Sequence, residues 1–256
     1  MASDAKPVVV LIPGAFHKPS VWSPVAERLR NRGYTVLTPP LAVTGDLSGQ
    51  TPQSQAWKDL AGADALDDAK VVLSELEPFL ADGREAVVVS HSYGSVASTA
   101  AVYGNTVVDR AAKGLKGGVK SVVNIAGFAY PVREKGIMGD TSEPPLEAYH
   151  VLKDEARDIW FSDLTPAARE ETWATHIYKT QSRKSFLYFP KFVEADINVP
   201  KTYVLCENDQ AVPPAFEEHM AKTGQYDPVL RLPCGHEAPF VLPDEVVNII
   251  VQAADR

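Results

Sequence analysis

The sequence predicts an α/β fold: a mostly parallel sheet of about six strands flanked by helices, with a helical cap inserted after the fourth strand. Three observations lead there. Short apolar, β-branched runs of strand length recur along the chain, helical stretches separate them, and one long segment rich in proline and aromatics breaks the alternation. At 256 residues, one core of this class is expected.

Val8 to Ile12, bounded by Pro7 and by Pro13-Gly14, is continuously apolar, as a strand buried on both faces must be. Ser23-Pro24 then offers an N-cap with proline at N1, and Gly33 supplies the left-handed stop of the helix between them. Tyr34 to Leu37 reads as a second strand, and the polar stretch Ala42 to Trp57 as a loop. Between Asp59 and Leu80, the residues Leu66, Ala69, Leu73, Leu76 and Leu80 predict one apolar stripe on a long helix. Ala86 to Val89 is a third strand, Ser92 to Tyr103 a helix with small residues facing the sheet, and Val119 to Ala126 a fourth strand. After the break come strands Lys201 to Cys206 and Val229 to Leu232, and helices Pro214 to Lys222 and Asp244 to Ala253. Such alternation favours right-handed βαβ units.

Phe128 to Pro200 carries prolines at 131, 144, 145, 166, 190 and 200, with aromatics throughout. Because long structureless loops are rare in compact domains, residues 128–200 are expected to form a cap or lid, with 1–127 and 201–256 as the core. The net charge of −8 disfavours nucleic acid and anionic membrane surfaces as partners. Cys206 and Cys234 form neither a disulfide framework nor a zinc-type spacing, and the amino terminus lacks a basic, then apolar, leader pattern. A reduced, cytoplasmic setting is the expectation, with no metal or organic cofactor; a homodimer is left open.

Ser90-His91-Ser92-Tyr93-Gly94 falls where a buried strand gives way to a helix. A turn that sharp needs small residues two before and two after the nucleophile, here Ser90 and Gly94, and it thrusts the Ser92 hydroxyl out at the carboxyl edge of the sheet. The same turn points the Tyr93 N–H toward an anion forming beside Ser92. The plainer reading is a serine that caps a helix. A serine hydroxyl near neutral pH needs a base, and the base needs an orienting acid. His236 follows the last strand, and Glu207-Asn208-Asp209 follows the one before, so either Glu207 or Asp209 can supply the acid at that edge. Taken singly, such a histidine is a surface residue and such an aspartate a turn former. Pro13-Gly14-Ala15-Phe16 follows the first strand, where the Ala15 N–H can act as a second oxyanion donor, or Gly14 can simply ease the strand exit. Phe16, His17, His91, Phe128, Trp160 and His176 are the candidate pocket residues.

On these motifs the chain resembles the short α/β-hydrolases that begin at the first central strand, a group of plant methylesterases, hydroxynitrile lyases and fungal or bacterial hydrolases of small esters or lactones. The resemblance covers nearly the whole chain, through Val8 to Trp22, Val87 to Gly94, Thr202 to Pro214 and Cys234 to Phe240. It implies an α/β-hydrolase fold and the chain order Ser92, Asp209, His236 for a catalytic triad, with Asp209 preferred over Glu207. It further implies a serine hydrolase of a small ester or lactone, and the aromatic-rich cap suggests a mainly apolar substrate. A cyanohydrin lyase and a ligand-binding receptor are the alternatives. The lyases carry a threonine in the first turn and a lysine after the triad histidine; here those places hold Gly14 and Glu237. A carboxylate beside the leaving group would repel cyanide, and all three triad members are present, so a hydrolase is the expectation.

Overall fold

The computed structural model describes residues 5–51, 53–136 and 149–256. Residues 1–4 and the part of the expected cap with Pro144 and Pro145 lie outside the described residues. In chain order the elements are β1 (Val8–Ile12), α1 (Ser23–Asn31), β2 (Val36–Leu37), β3 (Thr44–Gly45), α2 (Gln55–Gly62), α3 (Ala65–Ala81), β4 (Glu85–His91), α4 (Gly94–Val102), α5 (Val107–Ala112) and β5 (Gly118–Ile125). They continue with β6 (Tyr149–Val151), α6 (Ala156–Trp160), α7 (Pro166–His176), β7 (Thr180–Ser182), β8 (Lys201–Cys206), α8 (Pro214–Thr223), β9 (Val229–Leu232), α9 (Ala238–Val241) and α10 (Pro243–Ala254).

Six strands form one parallel sheet in the order β2-β1-β4-β5-β8-β9. Period-two alternation sends Val8, Val10, Ile12, Ala86 and Val88 into the core under α3 and α4, and Val9, Leu11, Val87 and Val89 into the core under α1 and α10. Both faces are therefore covered, which is why these strands read as unbroken apolar runs. Because all six run the same way, the turns after β1, β4, β8 and β9, which carry the candidate site residues, emerge at one edge. Among the described residues, no helix is long and apolar enough to cross a membrane.

Several elements differ from expectation. The stretch expected as a loop contains β3 and the start of α2, and β3 pairs antiparallel with β7 in a second, three-stranded sheet, β3-β7-β6. The cap is thus mixed rather than purely helical, and residues from the first core segment help to build it. The long helix expected over 59–80 is two helices. Asp64 interrupts it: its carboxylate accepts from the N–H groups of Leu66 and Asp67, so it starts α3 as a new N-cap. The buried stripe of α3 runs through Ala65, Asp68, Ala69, Val72, Leu76 and Leu80, while Leu66 is 41% exposed. A polar residue on the apolar face, Asp68, concealed the true stripe.

Candidate active site

Ser92 sits between β4 and α4 with φ of 50°, a left-handed conformation that costs a non-glycine residue about 1–3 kcal/mol. Its N–H is tied to the Ile125 carbonyl at 2.9 Å, and its own carbonyl accepts from Ser95 Oγ at 2.8 Å, so the fold holds this strained turn on both sides. A Cβ on Gly94 would lie 2.5 Å from the Pro13 carbonyl oxygen and 2.7 Å from that of Ile12, so only glycine lets α4 start this close to β1. Gly14 plays the matching part from the other side: a Cβ there would approach His91 Nδ1 to 3.0 Å and Ser92 Cβ to 3.3 Å. Among the described residues, the N–H groups of Ala15 and Tyr93 donate to no other group.

His236 is 3% exposed and its Nδ1 lies 2.6 Å from Asp209 Oδ2. The other oxygen of Asp209 accepts from the N–H groups of Ala211 and Val212 at 2.7 and 2.8 Å. Glu207 is exposed, so of the two acids open in the sequence Asp209 is the one that meets the imidazole. Burial alone would raise the Asp209 carboxyl, but the His236 bond and charge and the two N–H donors outweigh it and hold it below the usual range. Burial likewise opposes charge on His236, yet the Asp209 bond and charge prevail and raise it. Behind Asp209 lies Glu217 of α8, buried, accepting from the Cys206 N–H at 3.1 Å. Its carboxyl is pushed up to about 9 by burial and by the Asp209 charge, so it is neutral near pH 7. No hydrogen bond among the described residues joins Ser92 Oγ to His236. Such bonds are often long or poorly aligned until substrate is seated.

The two residues at the first turn and the elbow, His17 and His91, lie beneath the site. His91 is fully buried and its Nε2 contacts the His236 carbonyl at 2.9 Å, so that nitrogen carries the proton. Burial lowers it to about 4, and the ring is neutral. His17 places Nδ1 2.7 Å from the Ala15 carbonyl and Nε2 3.1 Å from Glu237 Oε1. Both ring nitrogens of His17 thus lie within hydrogen-bond distance of an oxygen. Glu237, expected to repel cyanide from the leaving-group site, lies inside the protein. Its carboxylate is fully buried and paired with His17. The lysine that the lyases carry is lacking at that place.

Trp160, from the cap, roofs this group, stacking on His17 at 5.3 Å and 19° and lying 6.4 Å from the His236 ring, with Phe16 at 6.2 Å. Phe128 lines a cavity of about 100 Å³ together with Tyr93, Val96, Tyr130, Ser185 and Phe186. His176 is not part of this group: it bonds Ser20 Oγ at 2.8 Å, packs on Phe240 and borders a separate cleft along α7. Three supporting residues escaped the sequence reading. Asp68 accepts from Tyr93 Oη at 2.8 Å and from the Val43 N–H at 3.1 Å. Gln181 Oε1 accepts from the Phe16 N–H at 2.8 Å, and Asp163 accepts from the Gly235 N–H at 2.6 Å. Only Asp68 left a trace in the sequence, as a carboxylate three residues after Ala65 on an apolar helix face.

The fold gathers a set of donors that no sequence spacing revealed. His91, His236 and Glu237 each offer one ligand atom, and these atoms all lie within 4.8 Å of one another.

The chain matches the sequence model of the alpha/beta hydrolase family over residues 9–249. It belongs to that family. Among curated relatives it is similar to the alpha/beta hydrolase nvfD of Aspergillus novofumigatus, 25% identical over 268 residues, covering 97% of each chain. It is also similar to the probable hydrolase R7 of a Phoma species, 27% identical, covering 97% of this chain and 98% of the relative. Among solved structures, a pyrethroid hydrolase from Sphingobium faniae superposes with a TM-score of 0.67 at 18% identity over 97% of both chains. A methylesterase from Arabidopsis superposes with a TM-score of 0.70 at 14% identity over 97% of this chain and 99% of its own. At those identities the likeness is one of fold.

Proposed function

We propose that this member of the alpha/beta hydrolase family is a serine hydrolase that cleaves a carboxylic ester or lactone of a small, mainly apolar substrate. One observation carries the reading: a buried Asp209–His236 bond of 2.6 Å stands at the same sheet edge as Ser92 in its left-handed turn. Ser92 Oγ attacks the carbonyl carbon while His236 Nε2 takes its proton; the C–O bond to the leaving alcohol breaks and that oxygen receives the proton from His236. Water then adds to the acyl-enzyme, again giving its proton to His236, and Ser92 leaves with it as the acid is released. Asp209 fixes the ring with Nδ1 protonated and favours the imidazolium formed at each step. The Ala15 and Tyr93 N–H groups, unengaged among the described residues, receive the oxyanion. The apolar cavity beside Tyr93 and the Trp160 roof support an apolar substrate, and the hydrolase and esterase names of the relatives agree with the reaction class.

The test combines a p-nitrophenyl acetate assay with fluorophosphonate labelling mapped by mass spectrometry. Wild type is expected to turn over and to be labelled at Ser92, and Ser92→Ala to lose both. Absence of labelling together with no hydrolysis across a broad ester and lactone panel overturns the reading. Release of cyanide from cyanohydrins, or ligand binding without turnover, would replace it with a lyase or a receptor.

A further inference from the structure

We infer that His91, His236 and Glu237 form a binding site for one divalent transition-metal ion of the zinc class, and that the ion reversibly silences the enzyme. The ligand atoms follow from what each side chain already does. His91 gives its Nε2–H to the His236 carbonyl at 2.9 Å, leaving the Nδ1 lone pair. Asp209 holds Nδ1 of His236 at 2.6 Å, leaving Nε2. Glu237 Oε1 accepts from His17 Nε2 at 3.1 Å, leaving Oε2. His91 and Glu237 are fully buried, and His91 Nδ1 and Glu237 Oε2 have no hydrogen-bond partner among the described residues.

All three free positions are acceptors. A water molecule has two protons to offer three lone pairs, whereas a cation satisfies all of them at once. Two imidazole nitrogens with one carboxylate oxygen is a donor set suited to zinc, and each ligand is oriented by a partner behind it, the arrangement that fixes metal-bound histidines and carboxylates. One ligand atom from each of the three residues lies within 4.8 Å of the others, and around a tetrahedral ion with bonds near 2 Å the ligand atoms must close to about 3.3 Å. Gly14 keeps the space beside His91 Nδ1 open, since a Cβ there would lie 3.0 Å from that nitrogen. A bound ion occupies the His236 lone pair that otherwise accepts the Ser92 proton. The silencing therefore rests on the hydrolase reading above, while the binding does not.

The experiment titrates the full-length, metal-free protein with zinc chloride by calorimetry, and with cobalt chloride by visible absorption. Fluorophosphonate labelling is followed over the same concentrations. The expected result is one ion per chain, the absorption of a four- or five-coordinate cobalt ion, and labelling lost in parallel with binding and restored by EDTA. Glu237→Gln and His91→Gln should each weaken binding at least tenfold, whereas replacing the exposed His219 by alanine should not. No binding up to millimolar metal, or binding that neither substitution at 91 or 237 weakens, overturns the site. Should a variant fail to fold by circular dichroism, the cobalt spectrum and its competition with labelling in wild type decide. A protein that binds one ion in the expected way but is never labelled without metal keeps the site and loses the hydrolase reading.

Discussion

His17 and Glu237 form a closed buried pair, Nε2 to Oε1 at 3.1 Å, with both side chains 1% exposed, directly beneath the turn that carries His236. One residue comes from the turn after β1 and the other from the turn after β9, so the pair ties together two loops that meet only in the folded chain. Removing one partner of such a pair leaves a buried polar group unsatisfied and costs about 1–3 kcal/mol, whereas replacing both by apolar groups of the same shape is often close to neutral. Glu237→Leu is therefore expected to lower stability in urea by that amount, and the double variant His17→Phe with Glu237→Leu to recover part of it. If the double variant loses the sum of the two single losses, the residues do not interact.

The same pair sets part of the acid limit of the fold. Although burial pushes the other way, His17, His91 and His236 hold the Glu237 carboxyl down to about 2 against an ordinary value of 4.5. Its contribution is complete above the ordinary value and is lost as pH falls from there toward 2. Wild type should thus lose stability steeply over that interval, and Glu237→Gln should show a flatter acid limb in thermal melts. Equal slopes for the two proteins would contradict the assignment.

Under the proposed mechanism, catalysis and stability pull His236 in opposite directions. Its raised value means that the protonated ring stabilises the fold fully below the ordinary imidazole value, and that this contribution is lost as pH rises through the folded value. The general base, however, must be neutral. The kcat/KM of wild type is expected to rise with pH through a value above 6.5. Asp209→Asn removes the charge that raises it and swaps the carboxylate for a neutral amide, so its residual activity should show that limb at lower pH, with kcat reduced by about 10⁴-fold. An unchanged limb would mean that another group sets it.

How much was legible follows from where each signal resides. Buried parallel strands are written as contiguous apolar residues, so β1, β4, β5 and β8 could be read directly, and with them the edge to which Ser92, Asp209 and His236 belong. Gly94 was legible as a steric demand of the turn, whereas Gly14 read only as easing the strand exit, and its closeness to His91 and Ser92 came with the fold. The cap was legible only as an interruption. Strands of two or three residues such as β3, β6 and β7 leave no periodicity, and their pairing joins residues far apart in the chain. The roles of His17 and Glu237 were hidden for the same reason, because a charge is neutralised only by a partner the fold brings to it.

Gly94→Ala tests the steric half of that reading. A methyl group placed 2.5 and 2.7 Å from two backbone oxygens cannot be relieved by rotating a side chain, so β1 and the Pro13 to Ala15 turn must move away. A loss of about 1–3 kcal/mol in stability is expected, the scale of overpacking in a dense core. Because the displaced turn carries the Ala15 N–H, fluorophosphonate labelling of Ser92 should slow in the protein that remains folded. A variant as stable and as rapidly labelled as wild type would show that the approach of α4 to β1 is looser than described.

Gln181 tests whether the cap supports the chemistry as well as covering it. This side chain of β7 is fully buried, accepts from the Phe16 N–H at 2.8 Å and donates to Ser185 Oγ at 2.9 Å. Phe16, at φ of 63°, is the strained residue next to Ala15, so the glutamine clamps the turn whose neighbouring N–H faces the oxyanion. Gln181→Leu fills the same space but leaves the Phe16 N–H unpaired. Losing an oxyanion donor outright costs about 10²- to 10³-fold in kcat, and loosening its support should cost about tenfold with KM nearly unchanged. Gln181→Glu, which keeps an acceptor at the Phe16 N–H, should recover part of kcat. A rise in KM with kcat intact would instead assign Gln181 to substrate binding.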